Sequence, residues 1–167
     1  MDLNLLTGYK QWANERLFRA LGLLDEAQLT ASHPIVFGNL LRTLNHTRAM
    51  DLVWKGHLEG RPHGFTTRNP EGSPPFAELR RSQAEIDAWF VAYAGRLSPA
   101  AADEVVGFEF IGGGKGALAR GEMILHCVNH GTYHRGNVAA MLYEIGRQPP
   151  TTDLPVYLRE VRAAQPA

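Results

Sequence analysis

Of the 167 residues only Cys127 is a cysteine, so no disulfide can form within the chain. Net charge is equally scarce: Lys plus Arg and Asp plus Glu number 17 each, for a formal charge of zero. A chain without a net field has no broad attraction for phosphate backbones or anionic lipid, so neither nucleic acid nor a membrane surface is expected as a partner. No run approaches the ~18 consecutive apolar residues of a membrane span, and residues 88–94 fall well short of it. The opening Met1-Asp2-Leu3-Asn4 has neither the basic start nor the apolar core of a signal peptide, and a cytoplasmic location is the expectation. What remains is ordinary globular material, 44% hydrophobic and 20% charged, of a length that suits one domain over residues 1–167 with a real core. The histidines stand out. There are seven, and three of them fall within residues 125–135.

The apolar periodicity is helical for most of the chain. Leu3, Leu6, Lys10, Ala13, Leu17, Ala20, Leu21 and Leu24 predict a first helix capped by Asp2 and ending near Asp25. Residues 25–29 add a short turn, and His33-Pro34 interrupts the pattern. Asn39 caps a second helix running to about Leu58, with Gly56 and Gly60 marking its end. Residues 61–75 form a long loop, as a crossover in a helix bundle requires. A third helix follows Ser73-Pro74-Pro75, carries Phe76, Leu79, Gln83, Ile86, Phe90, Tyr93 and Leu97 on one stripe, and stops at Ser98-Pro99. Val106, Phe108 and Phe110 alternate with polar or small residues and predict a strand. The three glycines 112–114 turn it into a short hairpin returning over residues 116–119. Gly112-Gly113-Gly114-Lys115-Gly116 is superficially like a phosphate loop but has neither its spacing nor its hydroxyl residue after the lysine. A fourth helix spans Ala119 to Ile145, and Asp153-Leu154-Pro155 starts a short terminal helix through Ala163.

His126, His130 and His134 are spaced by four, so successive members differ by about 40° around a helix and share one stripe with Met123, Asn137 and Met141. His130 and His134 at i and i+4 suit a single metal ion. The glutamate base of His-Glu-x-x-His metalloproteases is absent, because Gly131-Thr132-Tyr133 lies between them. Two histidines rarely complete a site, and His46, in the middle of the second helix on a mixed face with Asn39, Thr43, Met50 and Val53, is the candidate third ligand. His57 shares that stripe but lies about 16 Å away along the axis. His33, His57 and His63 read as ordinary loop-side residues. His126 reads as a donor supporting the ligands or as a surface residue, with a ligand role as the lesser alternative. Cys127 reads as inert packing, with a thiolate role as the lesser alternative. Arg135 reads as a structural pairing residue or an anion binder, and Tyr133 as a pocket edge or core residue. Gly131 and Gly136 are expected to permit close helix approach.

These residues carry a resemblance. Leu44-Asn45-His46 with Trp54, the run from Leu125 to Asn137 containing His126, Asn129, His130, His134 and Arg135, the opening Tyr9-Lys10-Gln11-Trp12-Ala13-Asn14 and the tail Pro149-Pro150-Thr151-Thr152-Asp153-Leu154 resemble the DinB family over nearly the whole chain. The resemblance implies an all-α fold: an antiparallel four-helix bundle of DinB/YfiT type with a long crossover after the second helix, a small β-hairpin before the last long helix and a short C-terminal helix. It implies one divalent metal ion (zinc, nickel or iron) held by His46, His130 and His134. The family often has Gln where this chain has Asn137, and Asn137 receives no firm role. Members of the wider superfamily transfer or isomerise substrates with low-molecular-weight thiols.

Three neutral imidazoles leave the ion its full charge and at least one open position, the pattern of a catalytic site. Together with the resemblance, this makes the expected function a metal-dependent enzyme of thiol S-transferase or hydrolase type on a small-molecule substrate; the low-molecular-weight thiol and a homodimer are what the resemblance implies. The alternative is a non-catalytic metal-binding protein of stress response or sensing. Because imidazole must be neutral to coordinate, metal release is expected on acidification through the histidine range.

Overall fold

The computed structural model describes residues 1–163. Its elements are α1 (Leu3–Leu21), α2 (Glu26–Thr30), α3 (Leu40–Glu59), α4 (Phe76–Arg96), α5 (Pro99–Ala102), β1 (Val105–Glu109), β2 (Lys115–Ala119), α6 (Arg120–Glu144) and α7 (Leu154–Ala163). The expected all-α fold with one small hairpin is what the chain forms.

Local chemistry sets the boundaries. Asp2 accepts from the Leu5 N–H at 2.9 Å and starts α1. That helix stops at Gly22 rather than near Asp25, because Asp25 begins a new one. Its carboxylate accepts from the Gln28 N–H at 2.8 Å, and the Gln28 side chain accepts from the Asp25 N–H at 3.3 Å, a capping box that favours a fresh start. Asn39 caps α3 through the Arg42 N–H at 2.8 Å, and Gly60 ends it in the left-handed region at φ +64°. Ser98, read as a stop, also caps the four-residue α5 through the Ala101 N–H. In the hairpin, Val105 pairs with Ala119 and Glu109 with Lys115. Phe110 lies beyond the strand, in a turn where Gly112, Gly113 and Gly114 all hold φ between +93° and +95°. Three consecutive left-handed residues explain the glycine run as turn chemistry.

The long helices pack in the cyclic order α1, α4, α3, α6. Leu3 shares a cluster with Ala94, and the Phe18 ring lies tilted 5.8 Å from that of Phe76, so α1 and α4 are antiparallel. Leu58 packs with Met123 and Leu44 with Val138, so α3 and α6 are antiparallel. Leu44 also shares a cluster with Leu79, and Leu58 with Phe90, so α3 and α4 run the same way. Parallel neighbours cannot be joined by a tight turn. The chain must return about 30 Å along the bundle, which is why residues 61–75 form a long crossover.

The core has two apolar ends. One gathers Leu17, Leu21, Leu40, Leu44, Leu79 and Met141; the other gathers Trp54, Leu58, Ile86, Phe90, Met123 and Ile124. Between them lies a polar layer drawn from all four long helices. Lys10 of α1, buried to 1% exposure, bonds Asp51 of α3 at 2.7 Å and Asp87 of α4. Gln83 donates to Asp51 and Asn14 to Asp87, both at 2.8 Å. Arg135 of α6 donates to the Asn14 side-chain oxygen Oδ1 at 3.0 Å. Two cations and two carboxylates thus balance, with the Asn14 amide relaying between the Arg135 and Asp87 ends. Burial alone would lower the Lys10 pKa, but Asp51 and Asp87 together hold its ammonium above the usual lysine range. Gly131 faces this layer: a Cβ there would stand 3.2 Å from Arg135 Nη1 and 3.8 Å from Lys10 Cε, so the expected close approach is real. At Gly136 a Cβ would meet nothing within 4 Å, and the same expectation fails.

Candidate metal centre

Helix α6 presents two ridges one residue apart. Gly131 and Arg135 face the polar layer, while His130 and His134, rotated by about 100°, face α3. There they meet His46. His130 Nε2 lies 3.2 Å from His46 Nε2 and 3.0 Å from His134 Nε2, and the ligand atoms of the three residues lie within 4.8 Å of one another. Among the described residues this is the group of histidine, cysteine and acidic side chains close enough to share an ion. An ion at about 2.0–2.1 Å from each imidazole nitrogen puts neighbouring ligands about 2.9–3.4 Å apart as the ligand–metal–ligand angle opens from a right angle to the tetrahedral value. The His46–His130 and His130–His134 spacings fall in that interval.

The outer atoms fix the tautomer. His46 Nδ1 is 2.9 Å from the carbonyl oxygen of Arg68 in the crossover. A carbonyl only accepts, so Nδ1 carries the proton and the Nε2 lone pair faces the other two rings. Asn137 lies 3.3 Å from His134 Nδ1. The atom at that distance is the amide nitrogen Nδ2; turned over, the amide oxygen would accept from a protonated Nδ1 and set the same tautomer there. Convergent lone pairs repel one another, and a cation relieves that repulsion. The donor set therefore fits a divalent ion. Asn137→Ala is expected to weaken metal binding about 10- to 100-fold by freeing the His134 ring; competition against a chromophoric chelator measures it, and unchanged affinity would remove Asn137 from the site.

The surroundings are apolar. Phe37 stacks on His46 with centroids 4.3 Å apart and tilts over His134 at 5.4 Å. Burial and the neighbouring imidazoles lower the His130 pKa to about 3, and burial with His46 lowers that of His134 to about 4. His46 is lowered too, chiefly by burial. These values move the expected acid release below the ordinary histidine range. Unfolded histidines gain protons near 6.5, while the folded ligands stay neutral well below it. The unfolded chain then binds more protons, so metal-free stability is full above about pH 6.5 and declines as pH falls toward about 4. Metal is expected to remain bound at pH 5.5 and leave nearer pH 4. Release centred at pH 6.5 would show exposed, ordinary imidazoles.

The remaining residues of the histidine region are distributed as follows. His126 is exposed, stacks beside His130 at 5.7 Å and makes no hydrogen bond to a ligand. Cys127 is buried, and burial pushes its thiol well above the usual range, as inert packing requires. Arg135 is structural, bonded to Asn14 and Thr132. Tyr133 is 65% exposed, so it is not core, and its ring meets the edge of His134. His33 is not an ordinary loop residue: it is buried, with Nδ1 2.6 Å from Glu144. His57 lies outside the three-histidine group but lines a cavity of about 320 Å³ that His46 and His130 also line.

A sequence model of the DinB family matches residues 1–165. The chain belongs to the DinB family. It is also similar to the Protein DinB of Bacillus subtilis strain 168, with 26% identity over 155 residues and 90% of each chain covered. In this DinB-family chain the quoted motifs supply all three converging histidines. They did not disclose the cavity. Arg68 and Phe108 reach it from the crossover and the hairpin, far in sequence from the three converging histidines, and only the bundle geometry brings them there. Phe37 likewise carried no signal beyond lying just before the Asn39 cap.

Proposed function

We propose that this DinB-family protein is a metal-dependent enzyme of thiol S-transferase type, with a hydrolase as the variant of the same reading. The observation that carries it is the convergence of three imidazole Nε2 atoms beside a cavity of about 320 Å³. A site serving retention or sensing alone needs no such space, and ligand sites typically occupy about 300–1,000 Å³. His46, His130 and His134 would hold zinc, nickel or iron, none of which imidazole ligation selects over the others. A divalent ion there would supply a Lewis acid with an open position, favouring the deprotonated form of a thiol or water brought to it.

The chain's own residues do the rest. Arg68, through its carbonyl, and Asn137 keep the His46 and His134 rings aimed inward. Phe37 closes one side against water. Trp54 and Phe108 form an aromatic wall for the substrate body, their rings 5.1 Å apart. The protein thiol is unsuited to attack: Cys127 is buried and protonated. The nucleophile must therefore come from outside, as a small thiol or water. In the transfer reaction the thiol sulfur forms the new bond to an electrophilic carbon, the leaving group departs with its electron pair, and the thiol proton passes to solvent.

Metal-loaded protein incubated with reactive electrophiles and a panel of cellular thiols is expected to give conjugates by mass spectrometry. Chelation should abolish them and metal should restore them. Metal-dependent loss of electrophile without conjugate identifies the hydrolase. Bound metal with neither product favours the sensing or stress-response alternative.

A further inference from the structure

The cavity beside the histidines has an uneven chemistry. Met50, Val53 and Trp54 of α3 face Phe108, Phe110 and Ile111 of the hairpin region. The Trp54 and Phe108 rings meet edge to face, and so do those of Phe108 and Phe110, at 4.9 Å. Such walls favour flat, apolar bodies. His57 and His126 flank Trp54 at centroid separations of 5.6 and 4.7 Å. No carboxylate lines the cavity, and Arg68 is the lining residue with a permanent charge. The Arg68 side chain is exposed at the rim, and its recorded side-chain bond is one long contact of 3.4 Å from Nη2 to the Ile111 carbonyl oxygen. A guanidinium has five N–H donors, so most of its fork is open to a ligand.

We propose that this cavity selects a compact aromatic anion, its ring against Trp54 and Phe108 and its anionic oxygens paired with Arg68. The proposal rests on reading this cavity as the substrate site of the metal centre. It names the electrophile or hydrolysed substrate as an aromatic compound of one or two rings bearing a carboxylate, sulfonate or phosphate group. Arg68 determines specificity and takes no part in bond making. Its backbone carbonyl, which holds His46, is retained whatever side chain stands there, so charge and ligand positioning can be separated by substitution.

The test uses naphthalene-2-sulfonate and its neutral counterpart 2-(methylsulfonyl)naphthalene. The ring is the same, only one is charged, and a sulfonate is a weak metal ligand. Calorimetric titration of the metal-loaded full chain is expected to give about tenfold tighter binding of the sulfonate. Arg68→Met should reduce the preference to less than about twofold, and Arg68→Lys should keep most of it. Phe108→Ala should weaken both compounds alike. Equal affinities in the unmodified protein, no binding of either compound, or an unchanged preference in Arg68→Met would each overturn the proposal. Metal content measured in the same samples separates the two readings. A preference in protein that takes up no metal sinks the metal centre and keeps the selectivity; bound metal without the preference does the reverse.

Discussion

Lys10→Met is expected to lower the free energy of unfolding by about 3–5 kcal/mol near neutral pH. The methionine fills a similar volume, so the loss is electrostatic. Lys10 is the cation between Asp51 and Asp87, and all three are no more than 2% exposed. Removing it leaves two carboxylates buried side by side without the cation that bonds both, and Arg135 reaches Asp87 only through the Asn14 amide. Their ionised forms are then penalised by burial and by each other. Burial already raises the Asp51 pKa with Lys10 in place. Without Lys10, folded-state carboxyl pKa values rise above the unfolded ones, the folded chain binds more protons, and the defect should shrink as pH falls. Urea unfolding at pH 7 and pH 5 measures both effects. A loss below about 1 kcal/mol, or one independent of pH, would show that the layer is not held by charge balance.

His134→Ala is expected to reduce metal affinity by more than the 10- to 100-fold that removal of an orienting partner costs, since a ligand itself is lost. His134 is 5% exposed and its Nε2 stands 3.0 Å from that of His130. No other histidine is placed to substitute: among the described residues the remaining four lie outside the cluster. The truncation removes an imidazole from beneath Phe37 and opens a small cavity, so a modest stability loss accompanies it. Chelator competition at pH 7 reads the affinity, and unfolding of the metal-free variant reads the stability. Affinity within threefold of the unmodified protein would mean that the ion, if bound, sits elsewhere.

The bundle was legible because its signals are local. Asp2 and Asn39 announce helix starts, Gly60 announces an end, and three glycines announce the hairpin turn. The His130 and His134 pair was legible for the same reason, since a four-residue spacing on a helix is a spatial statement. His46 needed one further inference, that a midhelix histidine on a mixed face turns inward. The polar layer was half visible. Lys10 and Gln83 both sit in phase with apolar residues on their helices, which places them in the core, where a lysine needs an acid. Which acid it meets was not readable, because Asp51 and Asp87 lie 41 and 77 residues away and are joined to Lys10 only by the bundle order. His33 was misjudged for a related reason: its partner Glu144 is 111 residues distant. The cavity was the least legible feature, since its walls come from α3, the crossover and the hairpin, and no periodicity links a loop arginine to a strand phenylalanine.

His46, His130 and His134 are proposed to hold one divalent ion together. X-ray absorption of the full-length chain loaded with zinc addresses it directly, alongside elemental analysis of the unmodified protein and His46→Ala. The expected result is about one ion per chain, three imidazole nitrogens at about 2.0–2.1 Å with at least one further light donor, and metal content near zero after dialysis of His46→Ala. Absorption showing fewer than three imidazoles, or equal metal content in the two proteins, would contradict it.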